Sequence, residues 1–455
     1  MNVAAEPAIG FDFGTSNSAI AVVGPGSAAR VLRLDPGRPR AAHIPTVLYL
    51  ERDGTARIGD DAIEAFVAAE AGRTVRRARQ ATGQQIDTGL GPQMVWTEVD
   101  ANQPGRFFQS LKSFLADGSY RGTNVFGRYY TMEDLIATIM RAMRLRAEEQ
   151  LGRPITRATV GRPVHWAEND PKGDALALRR METALREAGF TEFTFIAEPI
   201  AAGLHFAATL PAPQTILVFD FGGGTLDVTV MRIGGGRHAV LATAGILVGG
   251  NVLDEDVMDG RLLRYFGENI QWGAQQLPMP NHILDAIRRW YTIPDLNEAR
   301  TVAFLQNLER ETTGESRRQA RALLSLARGN HGWPLFREIE RAKVGLSTHA
   351  HERIRYGAEA IAIDEPLPRD EFEGLIDRRV RQAERCVDDA LIAAGIEPGQ
   401  VDIVVRTGGS SAIPRFQRLL AEKFGADKLR FQDAFTSVVT GLALSAAGEV
   451  GTPAS

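Results

Sequence analysis

The sequence predicts an α/β protein of two similar lobes, each built on a mixed sheet flanked by helices. Three observations predict it. The tetrapeptide Phe-Asp-Phe-Gly occurs twice, at Phe11–Gly14 and Phe219–Gly222, each time at the end of an apolar run that enters a turn of small residues. After each copy comes a second apolar run, a further glycine-bearing turn, and then alternating helical and strand-like periodicity. The 455 residues, 44% of them hydrophobic, suffice for more than one core.

Taken in order, Ile9–Phe13 should be a strand, Gly14–Asn17 a turn and Ser18–Val23 the returning strand. His43–Glu51 reads as a strand, and Ala56–Phe66 as a short connection running into a helix. Glu133–Gly152 has helical periodicity with a glycine at its stop, Arg157–Pro163 is a short buried strand, and Lys172–Phe190 is a helix closing on Gly189. Glu192–Pro199 is a strand leading into the helix Ile200–Ala207. Past a break at Thr209–Gln214 the pattern restarts: Thr215–Phe221, a glycine turn, Leu226–Ile233, a second turn at Gly234–Gly236, and His238–Ile246. Helices fill most of Asn251–Gly345, Asp402–Gly409 is a buried strand, and Ile413–Gly425 is a helix. The last helix, Ser437–Ala447, is expected to return to the first lobe. The expected boundaries are 1–210 plus 432–455 for the first lobe and 211–431 for the second, with a helical part enlarged over about 251–400 and nothing separable after it.

A net charge of −4 gives no global basic field, so neither nucleic acid nor an anionic membrane is an expected partner. The run Arg73–Gln80, RTVRRARQ, reads as a solvated helix face. The lone Cys386 cannot form an internal disulfide and reads as a buried small apolar residue, which fits a reducing compartment. The N-terminus lacks a signal-peptide pattern and no apolar run reaches the roughly 18 residues of a membrane helix. The expected location is cytoplasmic.

A strand that ends in aspartate and enters a turn of Gly, Thr and Ser exposes backbone N–H groups with no Cβ to block a phosphate. Thr15, Ser16 and Asn17 add side-chain donors after Gly14, and Gly222, Gly223, Gly224 and Thr225 form the second such turn. Two turns can grip one polyphosphate. Asp12 and Asp220 meet phosphate favourably only through a cation, and Mg²⁺, which keeps much of its water, suits a pair of carboxylates. Gly249 and Gly250 form a third, weaker turn. Glu198, beside a proline at a helix start, is either an acid favoured by the helix dipole or a group that polarises water. Only five of the 52 cationic residues are lysines. A compact ammonium aimed at phosphate does not readily accept arginine, which singles out Lys112 and Lys343, with surface roles expected for Lys172, Lys423 and Lys428.

The motifs IGFDFGTSNSAIAVV, LVFDFGGGTLDVTV, VGGNVLDEDV, EIERAKVGLS and VVRTGGSSAIPRFQRLL, in that order, resemble those of the seventy-kilodalton heat-shock chaperones, within the actin-like ATPase superfamily. The likeness runs from about Ile9 to Ala447 and is nearest to the short YegD-like branch, which has no peptide-binding domain. It implies a two-lobed actin-like ATPase fold, with a ribonuclease-H-like sheet in each lobe, and the cofactors ATP or ADP with Mg²⁺. It places Asp12 and Asp220 on the Mg²⁺ waters and Lys112 near the γ-phosphate. Glu198 would organise water, Thr225 would bind phosphate, Glu340, Lys343 and Ser347 would touch adenosine, and Gly408, Gly409 and Ser410 would form its second wall. The family usually has arginines where this chain has Val344 and Ala412. Losing two stacking guanidiniums should weaken binding by about 1–4 kcal/mol and loosen base selectivity. The helical stretch between Gly250 and Glu340 is longer than the family's, which implies altered exchange-factor or co-chaperone binding.

The expected function is therefore an ATP-binding, slowly hydrolysing chaperone-like protein whose nucleotide sets the closure of its lobes. The alternatives are a non-hydrolysing nucleotide-dependent binding switch, an actin-like filament protein, or a small-molecule kinase, for which no acceptor-binding base is evident in the sequence.

Overall fold

The computed structural model describes residues 7–24, 26–38, 41–87, 92–167, 170–207, 212–234, 237–431 and 434–448. It divides into two compact units, one comprising Met1–Ile63, Phe107–Leu253 and Ile376–Ser455, the other Glu64–Arg106 and Asp254–Leu375.

The first unit holds two sheets of one topology. In the first, β1 (Ala8–Phe13), β2 (Asn17–Val23) and β3 (Arg30–Val31) form an antiparallel meander, and β4 (Arg157–Arg162) and β5 (Glu192–Ala197) add in parallel on the other side of β1. In the second, β6 (Gln214–Phe221), β7 (Leu226–Gly234) and β8 (Arg237–Ile246) form the meander, with β9 (Ile403–Thr407) and β10 (Leu429–Phe431) parallel beyond β6. The repeated tetrapeptide is thus the visible end of a repeated sheet. The predicted strands and turns of both meanders lie where the apolar runs put them, although Gly235 and Gly236, much of the Thr209–Gln214 break and the tail after Gly448 fall outside the described residues. The fold is the two-lobed actin-like ATPase fold.

Helix α1 (Met132–Leu151) starts at a capping box in which Thr131 and Asp134 satisfy each other's backbone N–H, and stops at Gly152 in the left-handed region. Its Leu135, Ile139, Met140 and Met143 are buried in one core with Phe11, Phe13, Ile20 and Val160 of the first sheet. Helix α2 (Pro171–Ala188) is capped by Asp170 and ends at Gly189. Buried Arg180 on α2 donates to the carbonyls of Phe114, Leu115, Asp117 and Tyr120, fixing the segment that follows Lys112. Helix α3 (Glu198–Ala207) follows β5 directly. Helices α4 (Asp377–Ala394) and α5 (Pro414–Phe424) complete the second half of the unit, with Cys386 buried on α4.

The last helix, α6 (Ala434–Ala446), packs on the first sheet: Val439 and Ala443 cover Ala19, Ala21 and Val23. A Cβ on Gly10 would collide with the Val439 and Ala443 backbone, so that strand and helix meet at the closest distance a glycine allows.

The second unit contains the helices Ala299–Glu311, Gly314–Arg328 and Gly332–Gly345 and the hairpin His351–Ala358/Ile361–Pro368. Glu365 is fully buried beneath Arg261, Arg264 and Tyr265, which all bond its carboxylate. Here one sequence expectation is corrected. Arg73–Gln80 is not a helix face: Arg77–Asp87 is a strand paired antiparallel with Pro92–Asp100. Val75, buried, bridges to Glu298, and Arg73 pairs with Glu70 and with Asp100 at 2.6 Å. The run has no apolar stripe at helical spacing to bury, so a β-ladder and these ion pairs decide its conformation. No helix among the described residues is long and apolar enough to cross a membrane.

Candidate functional site

The register of the two meanders builds the site. Asp12 is the penultimate residue of β1 and Asp220 that of β6, so both carboxyls stand where their strands end and the glycine turns begin. Opposite Asp12 on β2 is Ala19, whereas opposite Asp220 on β7 is a second carboxylate, Asp227. The two turns approach each other: a Cβ on Gly223 would sit 3.0 Å from Ser16 Oγ. Among the described residues, the N–H groups of Thr15, Ser16, Gly223 and Gly224 have no hydrogen-bond partner, and that is the condition for receiving anionic oxygens.

The turns line a cavity of about 440 Å³ that also receives Lys112 and Glu198. Lys112 lies in a short 3₁₀ segment, Leu111–Phe114, entered through Ser110 in the left-handed region at φ 54°, a conformation rare for a residue with a Cβ. Its ammonium, 7% exposed, donates to Glu198 Oε1 at 2.6 Å. Glu198 is the first residue of α3, so it is both an acid at a helix N-terminus and a cavity-lining group, and the two readings of it merge.

Four carboxyls, Asp12, Glu198, Asp220 and Asp227, thus face one lysine, and the titration of the buried groups reflects that excess. Burial, then repulsion by Glu198, pushes Asp12 up to about 7 against the pull of Lys112. Burial, then repulsion by Asp227, Glu198 and Asp12, pushes Asp220 up to about 8. Burial alone would lower Lys112, but the charges of Glu198 and Asp12 and the bond to Glu198 outweigh it and raise the ammonium. Two recessed carboxyls that favour protonation near neutrality are a donor set that a divalent cation would satisfy. No group of three or more His, Cys, Asp or Glu able to hold a metal occurs among the described residues, so a cation there would rely on water or ligand oxygens for the rest of its shell.

Of the other predicted residues, Gly14, Asn17, Gly222, Thr225 and Gly408 also line the cavity. Thr225 donates to Asp227 at 2.8 Å. Gly249, Gly250, Gly409 and Ser410 do not line it, but three of them brace the second turn: Gly249 packs on the Gly223–Gly224 backbone, the Gly250 N–H donates to Gly222 O at 3.0 Å and Ser410 Oγ to the same carbonyl at 3.1 Å. Gly408, at φ 84°, packs against the Phe221 carbonyl where a Cβ would clash. Glu340, Lys343 and Ser347 belong to the second unit. There Lys343 is buried in an ion pair with Asp254 at 2.7 Å, Glu340 pairs with Arg337, and burial pushes Asp254 up to about 6 despite Lys343. Val344, on the same helix, is 57% exposed. Lys172 is exposed as expected, but Lys428 donates to the Val401 carbonyl at 2.7 Å and Lys423 pairs with Asp388, so these two are structural ties rather than bare surface charge.

Sequence reasoning missed two titratable cavity-lining groups. Asp227 lies two residues past Thr225, and the period of two along a strand puts both on one face. His165 follows the C-terminal end of β4, the end of a parallel strand where ligand sites gather.

The chain matches the Hsp70 protein family over residues 8–277 and 330–453. It belongs to the Hsp70 family. Both Asp-Gly turns, Lys112, Glu198 and the brace at Gly408–Ser410 fall inside the matched residues, whereas 278–329 is unmatched and lies in the second unit. Chaperone protein DnaK of Thermus thermophilus, in each of two strains, is 27% identical to this Hsp70-family chain over 448 residues, which is 96% of this chain and 60% of the relative. The chain thus spans 60% of the length of the curated relatives it matches.

Proposed function

We propose that this Hsp70-family chain binds ATP and ADP with Mg²⁺, hydrolyses ATP slowly, and uses the nucleotide to control closure of two lobes in a chaperone-like role. The carrying observation is the single cavity into which both Asp-Gly turns, Lys112 and Glu198 converge. The lobes would be 1–210 with 432–455, and 211–431, the latter with an enlarged helical part over about 251–400 that offers a surface for an exchange factor or co-chaperone. The interruption of the family match at 278–329 supports a distinct partner surface in that part.

Mg²⁺, when bound, would neutralise the phosphates. Asp12 and Asp220 would orient its waters, and the N–H groups of Thr15, Ser16, Gly223 and Gly224 would hold phosphate oxygens. Lys112, taken by Glu198 in the free protein, would turn to the γ-phosphate and release Glu198 to orient the attacking water, while Thr225 would hold phosphate beside Asp227. Glu340, Lys343 and Ser347 would meet the nucleoside on one side, and Gly408, Gly409 and Ser410 on the other. With Val344 and Ala412 in place of arginines, base selectivity is expected to be loose.

The test is calorimetric titration with ATP and GTP, with and without Mg²⁺, followed by single-turnover hydrolysis. Mg²⁺-dependent ATP binding with slow turnover supports the reading. Tight binding without turnover replaces it by the non-hydrolysing switch, and absence of binding refutes it.

A further inference from the structure

The cavity contains a titratable group that none of the proposed roles uses. His165 lines it with Lys112 and the two Asp-Gly turns, on the loop that leaves β4. The loop's described residues Pro163, Val164 and Trp166 are tied down by hydrogen bonds. Arg162 donates to the carbonyls of Pro163 and Val164, and the Trp166 N–H donates to Asp174 Oδ1 at 2.5 Å. The other oxygen of the same carboxylate lies 3.4 Å from His165 Nδ1. A carboxylate only accepts, so this contact places the proton on Nδ1 and leaves Nε2, on a ring whose side chain is 55% exposed, for a ligand. Among the described residues Nε2 has no partner.

The charge balance of the cavity gives this imidazole a task. Among the described lining residues, Asp12 on β1, Glu198 on α3, Asp220 on β6 and Asp227 on β7 stand with one lysine, Lys112, and a polyphosphate brings further negative charge. The Nδ1 edge of the ring faces Asp174, Arg162 stands over the neighbouring Trp166 ring, and Asp170 is engaged in capping α2. A second cation beside Lys112 would offset the excess, and the contact with Asp174 orients the ring that would supply it.

We propose that protonated His165, oriented by Asp174, donates from Nε2 to the terminal phosphate of the bound nucleotide, so that affinity falls as the imidazole loses its proton. The inference rests on the nucleotide reading above. No covalent step is involved: one hydrogen bond from a cation is made at low pH and weakened at high pH.

The test is the affinity for Mg²⁺–ATP between pH 6 and 8.5, by calorimetry, in wild type, His165→Gln, His165→Lys and Asp174→Asn. Titration of ATP itself and of the cavity carboxyls is common to wild type and His165→Gln, so their ratio isolates the ring. Wild type should exceed His165→Gln by about five- to tenfold at pH 6 and approach it by pH 8.5. His165→Lys should hold the advantage across the range, and Asp174→Asn, which removes the carboxylate that orients the ring, should shrink the wild-type advantage at pH 6. Parallel pH profiles for wild type and His165→Gln overturn the inference while leaving the nucleotide reading intact. No ATP binding by wild type at any pH overturns both.

Discussion

The two sheets of the first unit share one topology and differ in chemistry at the same register position. In the first sheet Asp12 faces Ala19, 2% exposed beneath Val439 and Ala443 of α6; in the second Asp220 faces Asp227, open to the cavity. The turn after Asp12 carries side-chain donors, whereas the turn after Asp220 offers mainly bare backbone. The difference teaches how a duplicated scaffold specialises. Where a helix seals the sheet face, the position opposite the aspartate must be small and apolar; where the face stays open, it can hold another charge. Burial pushes both aspartates up, to about 7 for Asp12 and about 8 for Asp220, and Asp227 adds its repulsion to Asp220.

Forcing the first sheet to imitate the second should produce the largest effect. Ala19→Asp puts an unpaired carboxylate under α6 and should cost about 3 kcal/mol or more, measured by urea denaturation. A cost under about 1 kcal/mol would mean that α6 does not seal that face. Next, Lys112→Ala removes the lysine that both halves share, and single-turnover ATP hydrolysis should fall about 10²–10³-fold with binding changed far less. Asp220→Asn should act in the opposite direction on stability, raising that of the nucleotide-free, metal-free protein by about 1–3 kcal/mol while abolishing Mg²⁺-dependent turnover. Asp12→Asn should stabilise less, and an inverted order would break the comparison. Smaller still, Asp227→Ala removes the repulsion that follows burial as a cause of Asp220's shift, and should bring the two aspartates toward one titration midpoint by NMR.

The same shifts set the sign of a pH effect. Asp12 and Asp220 titrate in the folded protein above their ordinary value of 3.8, so the native state takes up protons that the unfolded chain does not. Stability of the metal-free, nucleotide-free protein should therefore rise as pH falls from about 8 toward 5. Saturating Mg²⁺ and nucleotide, which favour the ionised carboxyls, should flatten that rise, as melting curves at several pH values will show.

Much of this was legible in the sequence because it depends on local order. Apolar runs closed by Asp-Phe-Gly marked both meanders, and Gly152 and Gly189 marked where α1 and α2 end. What was not legible depended on partners distant in the chain. Arg77–Asp87 is a strand because Pro92–Asp100 lies beside it, a pairing that the composition of an arginine-rich run does not announce. Asp227 takes its meaning from standing across from Asp220, and His165 from an aspartate on the next helix that happens to reach its ring. The ties made by Lys423 and Lys428 were hidden for the same reason.

The seal between β1 and α6 also has a bearing on biosynthesis. Strand β1, Ala8–Phe13, is made long before the helix that covers its sheet, which is complete only at Ala446. At about 5–20 residues per second, a ribosome needs some tens of seconds to travel between them. For that interval the Ala19–Ala21–Val23 face is uncovered on the nascent chain, a hydrophobic surface that other proteins can reach. Slowing translation ahead of Ala434 should lengthen that exposure and raise the fraction that aggregates.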